Sequence, residues 1–241
     1  MRIGTGVVQL PLRRTAAVAK AASTLQFVSD GRFVLGVGVG DHRTEYERAG
    51  VDFHRRGRLL DAGIAELQRC WSAPDDWYGQ LPVPAPIPLW MGGRSAAALA
   101  RAARVADGWM PVFSTVEQFR AASAELDGLV EQAGRRPGSV TRAIMALASV
   151  TGPGWDRGDA LAWIGRLYAM DPTRLDRYVI TGSASEVATQ LARYGAEHVA
   201  VLAVSDEPVT MFMELNQAYL AQHPDGDGGD RDRQGGDVER A

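Results

Sequence analysis

Hydrophobic and polar positions alternate between two periods along this chain of 241 residues. The first apolar run, RIGTGVVQL at 2–10, lacks helical spacing and predicts a strand. From about Thr15, Val18, Ala22, Leu25 and Val28 recur at three- and four-residue steps, which predicts a helix. RFVLGVGVG (32–40) is a second strand. From near Arg55 a second helix places Leu60, Ile64, Leu67 and Trp71 on one face and Arg58, Asp61 and Gln68 elsewhere. IPLWMGG (87–93) predicts a third strand, and SAAALARAARVA (95–106) a helix of high intrinsic propensity. ADGWMPV (106–112) is a fourth strand. Thr115 and Gln118 then have the spacing of a capping box, ahead of an apolar stripe of Val116, Phe119, Leu126 and Leu129. VTRAIMALASV (140–150) reads as a fifth strand. SASEVATQLARYG (183–195) opens on a second capping box, Ser183 and Glu186, and ends on a glycine suited to a C-cap. HVAVLAV (198–204) is the sixth strand.

Apolar strands alternating with amphipathic helices are the signature of a parallel sheet covered by helices. The expected domain spans 1–222. From His223 onward the chain reads HPDGDGGDRDRQGGDVERA, too polar to offset its ordering entropy, so 223–241 is expected to be a disordered tail. The roughly 220 remaining residues fall short of the ~250 typical of an eight-fold α/β barrel. SAPDDWYGQLPVPAPIP (72–88) is a proline-rich connection inside the domain.

Composition narrows the function classes. A net charge of −3 provides no basic field, which argues against nucleic acid as a partner. Cys70 is the only cysteine, so no internal disulfide can form and a reducing cytoplasm is the expected location. No apolar run reaches the ~18 residues of a membrane span, and no signal peptide is read at the start. No histidine stands at metal-ligand spacing from a cysteine or carboxylate, so no metal site is expected. No serine lies in a G-x-S-x-G elbow.

Two glycine features carry candidate chemistry. GVGVG does not fit the dinucleotide fingerprint, because its third glycine would fall at Asp41 or Arg43. Its period of two instead puts Gly36, Gly38 and Gly40 on one strand face, where another group can approach closely. That group is either a packed neighbour or a flat ligand. WMGGRS ends a strand at Gly92 and Gly93 and opens a helix at Ser95. It is either an anion site of exposed amides or an ordinary turn with Ser95 as N-cap, the commoner case.

IGTGVVQLPLR, SDGRFVLGVGVG and GVDFHRRGRLLDAGIAELQRCW, followed by PIPLWMGGRSAAALARAARVADGWMPV, resemble the bacterial luciferase-like oxidoreductases, flavin- or deazaflavin-dependent enzymes on a TIM-type barrel. The resemblance runs from Arg2 to about Val112, with a weaker echo in TGSASEVATQLARYGAEHVAVLAV. It implies a TIM-type (β/α)8 barrel that is N-terminally incomplete, because family members begin with two further strands and a histidine near the reactive centre. A late start codon, a decayed gene or completion by a partner chain would each account for that; the first two are preferred. By the same resemblance, GTGVV is a strand that bulges against the cofactor ring, with Gly6 and Val7 at the matching positions. Gly40 and Asp41 sit at the rim of the next strand, and Gly92, Gly93, Arg94 and Ser95 form a phosphate loop.

The expected activity is oxidoreductase chemistry on a small-molecule substrate with coenzyme F420, by hydride transfer. The alternatives are an FMN-dependent monooxygenase, and a catalytically silent remnant or cofactor-binding subunit. Asp41 is the acid/base candidate, provided burial raises its pKa; otherwise it is an N-cap or a solvated loop carboxylate. His42 shares its loop and could contact substrate. His54 and His198 are read as non-catalytic, and Trp90 and Trp109 as packing residues. The resemblance also implies a homodimer.

Overall fold

The computed structural model describes residues 2–72 and 85–223. Residues 224–241 of the tail expected from 223, and residues 73–84 of the proline-rich connection, lie outside them. The predicted strand at 2–10 is two short pieces, β1 (Ile3–Gly4) and β2 (Val8–Gln9), both parallel to β3 (Phe33–Gly38). Gly4 pairs with Val34 and Val8 with Val37, so four residues on one strand span three on the other. The segment is one strand carrying a one-residue bulge at 5–7. The Gly6–Val7 peptide within it is cis.

From β3 the sheet continues through β4 (Leu89–Gly92), β5 (Gly108–Met110) and β6 (Thr141–Val150), all parallel. β6 is long enough to take successive neighbours. Along one side it meets β5 and Val112 and then, from Leu147 to Val150, β7 (Val179–Gly182). Its other side pairs with β8 (His198–Ala203). The sheet therefore curls through six strand positions, a half-barrel in a fold whose full form has eight. The expected incomplete barrel is what the structure shows. β7 was not among the six predicted strands.

Helices cover the outer face: α1 (Thr15–Val28), α2 (Arg43–Arg48), α3 (Arg56–Ser72), α4 (Ala96–Val105), α5 (Val116–Gln132), α6 (Arg157–Tyr168), α7 (Pro172–Leu175), α8 (Ala184–Ala192) and α9 (Pro208–Gln222). Alternate strand residues Leu35, Val37, Leu89, Met91, Trp109 and Ile144 point outward into one core with Leu60, Leu67, Leu99 and Phe119. Trp109 and Phe119 stack there at 5.4 Å. Both predicted capping boxes form, and Asp156 with Asp159 makes a third at the start of α6. A second, smaller cluster joins Phe113, Leu147, Ile164, Leu175, Tyr178 and Val179 above the C-terminal half of β6.

The opposite phase of each strand faces inward. Trp90 lies against Gly108, where a β-carbon would meet its ring at 2.5 Å, and its ring sits 5.4 Å from that of His198. Among the described residues no helix is long and apolar enough to cross a membrane, and no group of three or more His, Cys, Asp or Glu could hold a metal ion.

Candidate functional site

The C-terminal ends of the strands converge at one mouth, the place where this fold gathers its chemistry. The bulge comes first. A β-carbon on Gly36 would lie 2.0 Å from the Thr5 carbonyl oxygen, and one on Gly38 would lie 2.9 Å from Val7 Cγ2. The same isopropyl group would be 3.1 Å from a β-carbon on Gly92. The period-two glycines of β3 thus make room for the neighbouring strand. Of the two readings of that face, the packed neighbour is the one present at Gly36 and Gly38.

Gly6 itself is exposed on the concave side, bordered by the methyl tips of Met145 and Met110. Val7 touches Gly92, so the bulge and the GGRS loop form one continuous surface. In that loop Gly93 adopts a positive φ of 102°, and its carbonyl accepts from Trp109 Nε1 at 2.9 Å. The Ser95 hydroxyl caps α4 by accepting from the Ala98 amide at 3.2 Å. The ordinary-turn reading of Ser95 is therefore realised, while the first-turn amides of α4 remain without intrahelical partners, as at any helix start. Arg94 Nη1 donates to the Phe113 carbonyl (3.0 Å) and to the Tyr178 hydroxyl (2.8 Å), and its guanidinium lies over the Tyr178 ring.

Across the mouth, Gly40 turns with φ of 71° beneath the Gln9 side chain, whose amide donates to Glu45 at 2.9 Å. Tyr46 is fully buried and its hydroxyl donates to the Val39 carbonyl, tying α2 to the end of β3. Burial pushes that phenol above its ordinary value. Asp41 projects at the rim with 72% of its side chain exposed, 3.6 Å from His42 Nε2. Its carboxylate is therefore solvent-exposed and not buried at the rim. Nor is Asp41 an N-cap: His42 holds that position in α2, without a side-chain hydrogen bond.

Sequence reasoning missed the residues that join these two loops. The His42 ring stacks on Tyr168 at 6.4 Å, Tyr168 meets Phe113 edge-on at 4.9 Å, and Phe113 lies 5.8 Å from Tyr178, the partner of Arg94. This aromatic row runs along the mouth from the Asp41 loop to the GGRS loop. Burial, and then the charge of Asp41, push the Tyr168 phenol up, so it keeps its proton. The signal for α6 was the spacing of Asp156 and Asp159, a capping box written with two aspartates.

A model of the luciferase-like monooxygenase family matches residues 1–208. The chain belongs to this family. An uncharacterized protein of Mycobacterium tuberculosis (strain ATCC 25618 / H37Rv) is 36% identical over 147 residues, 56% of this luciferase-like chain and 50% of that protein. The match thus spans half the length of that relative. An F420-dependent secondary alcohol dehydrogenase, solved with an F420–acetone adduct, superposes with a TM-score of 0.75 at 19% identity. That match covers 91% of this chain and 79% of the dehydrogenase. The oxygenating constituent of 3,6-diketocamphane monooxygenase from Pseudomonas putida, solved with FMN, gives a TM-score of 0.64 at 14% identity, covering 92% of this chain and 79% of that one. Solved neighbours of this luciferase-like fold therefore include both deazaflavin and flavin enzymes.

Proposed function

We propose that this protein is an F420-dependent oxidoreductase acting on a small organic substrate at the mouth of the half-barrel. The observation that carries the reading is the bulge at 5–7. It brings a side-chain-free peptide at Gly6 to the concave surface, edged by Met110 and Met145, and seats Val7 directly on Gly92 of the GGRS loop. A flat apolar wall beside a loop of helix-start amides suits a ring system that carries a phosphate. Bound F420 would supply a site that accepts or donates hydride.

In this reading Gly6 and Val7 back the ring, and Gly92, Gly93 and the amides of Arg94 and Ser95 hold the anionic part. Arg94 adds a positive charge whose direction is fixed by Tyr178 and the Phe113 carbonyl. Gly40 lets the chain turn at the rim, where Asp41 stands as a solvent-exposed carboxylate beside His42. The solved dehydrogenase with its F420–acetone adduct has the same fold, as does the FMN enzyme, so the reading rests on the bulge and the loop. The test is equilibrium binding of F420 and of FMN to the purified chain. F420 is expected to bind, and more weakly to Arg94→Ala. Tight FMN binding without F420 binding overturns the proposal.

A further inference from the structure

A cleft of ≈ 310 Å³ lies between the start of α5, the end of α8 and the turn that leads into β7. None of Gly6, Val7, Gly40, Asp41 or the GGRS loop lines it. Its walls carry Arg157, Arg177 and Arg193 against two carboxylates, Glu117 and Asp176. Arg157 is fully committed. It donates to Asp176 Oδ1 from Nε (3.1 Å) and Nη2 (2.8 Å), to the carbonyls of Asp176 (2.6 Å) and Val179 (3.1 Å), and to Thr181 Oγ1 (2.8 Å). These bonds use every donor that a guanidinium has, and they neutralise Asp176. Glu117 is turned onto the start of its own helix. Hydrogen bonds from its own amide, and then from the Thr115 hydroxyl, hold its pKa below the usual carboxylate range.

Arg177 and Arg193 are left. They come from different elements, and neither side chain makes an ion pair or a hydrogen bond among the described residues. The Arg177 guanidinium rests on the Tyr178 ring at 4.8 Å, with its donors unused. Below the two cations the cleft is apolar: Val179, Ile180 and Tyr194 are buried, and the Tyr194 hydroxyl is spent on the Ser114 carbonyl.

We propose that this cleft is a second small-molecule site, which takes an organic monoanion: a carboxylate on a small apolar or aromatic body. Arg177 and Arg193 receive the carboxylate, whose two oxygens match the donor fork of a guanidinium. Val179, Ile180 and Tyr194 hold the body. The charge balance selects a monoanion. With Arg157 and Asp176 cancelling, two arginines face one glutamate and leave a single surplus positive charge, which a phosphate dianion would exceed. The volume stands at the small end of the ~300–1,000 Å³ of ligand sites, so the body is no larger than one or two rings.

The proposal does not depend on the reading of the mouth, and its test uses the purified full chain without cofactor. Benzoate is titrated at constant ionic strength by calorimetry and by amide NMR. It should bind, with shift changes confined to 115–117, 177–180 and 190–194. Benzamide, the same ring without the charge, should bind at least roughly tenfold more weakly. Arg177→Gln and Arg193→Gln replace exposed side chains, so both should keep the circular dichroism of the parent. Each should weaken benzoate at least roughly fivefold, the loss of one charge-assisted contact. The proposal is overturned if benzoate does not bind, if benzamide binds equally well, if both variants bind like the parent, or if the shifts fall at 92–95 instead.

Discussion

The Thr5 hydroxyl donates to the Gly36 carbonyl at 2.8 Å and accepts from the Gly36 amide at 2.9 Å. One side chain thus satisfies both backbone groups that the bulge takes out of the ladder between β1/β2 and β3. Thr5→Val keeps the shape and leaves both groups unpaired, at an expected cost of about 1–3 kcal/mol. Thr5→Ser should restore most of it. Urea denaturation of the two variants makes the comparison, and equal stabilities would rule out the role assigned to the hydroxyl.

Two glycines give opposite expectations for the same substitution. Gly36→Ala puts a methyl group 2.0 Å from the Thr5 carbonyl oxygen, a backbone atom that cannot move aside without breaking the bulge. It should cost several kcal/mol or prevent folding, on the order of the worst overpacking cases. Gly128 lies in the exposed middle of α5 with no atom within 4 Å of a β-carbon. Gly128→Ala should therefore stabilise by about 0.5–1 kcal/mol. Thermal unfolding of both reads out the difference in sign.

Acid stability should depend on Asp61. Its carboxylate accepts from Arg101 Nε at 2.7 Å and from Nη2 at 3.0 Å, clamping α3 to α4, and these hydrogen bonds hold its pKa below the usual carboxylate range. A depressed folded-state pKa means that the contribution is complete above the unfolded value and is lost as pH falls through the folded one. Asp61→Asn should remove about 1 kcal/mol near neutrality, toward the low end because Asp61 is 42% exposed. It should also flatten the fall in stability below about pH 4. A variant whose acid limb parallels that of the parent would contradict this.

The row of aromatic contacts makes Tyr178 a positioning residue for Arg94. Tyr178→Phe removes the hydroxyl that accepts from Arg94 but keeps the ring beneath the guanidinium. F420 binding should weaken roughly 2- to 10-fold, the equivalent of one hydrogen bond of about 0.5–1.5 kcal/mol, with FMN as the parallel ligand. Fold stability, read by thermal melting, should change little.

Long apolar runs and capping boxes were legible in the sequence because their signal is local. All six strands expected from the runs are present, with bounds shortened by a few residues. The bulge at 5–7 was legible only through resemblance, since an extra residue in a ladder depends on the partner strand. The spacing of Gly36, Gly38 and Gly40 correctly signalled close approach, yet the approaching group is Thr5 and Val7, some thirty residues upstream. The insertion from 151 to 182 was not read at all: β7 has four residues and gains its place only from β6. Tyr168 and Tyr178, half of the aromatic row, lie in it.

The contact between Trp90 and His198 spans the sheet from its third strand position to its last. A closed barrel takes its radius from an unbroken belt of hydrogen bonds; an open arc has no such belt and would be free to flatten. The two rings meet across the hollow side of that arc. Desolvation on the Trp90 side of its ring, and then the charge of Arg2, lower the His198 pKa. That contact lies toward the N-terminal ends of the strands, so the hollow side is bridged at the end opposite the mouth.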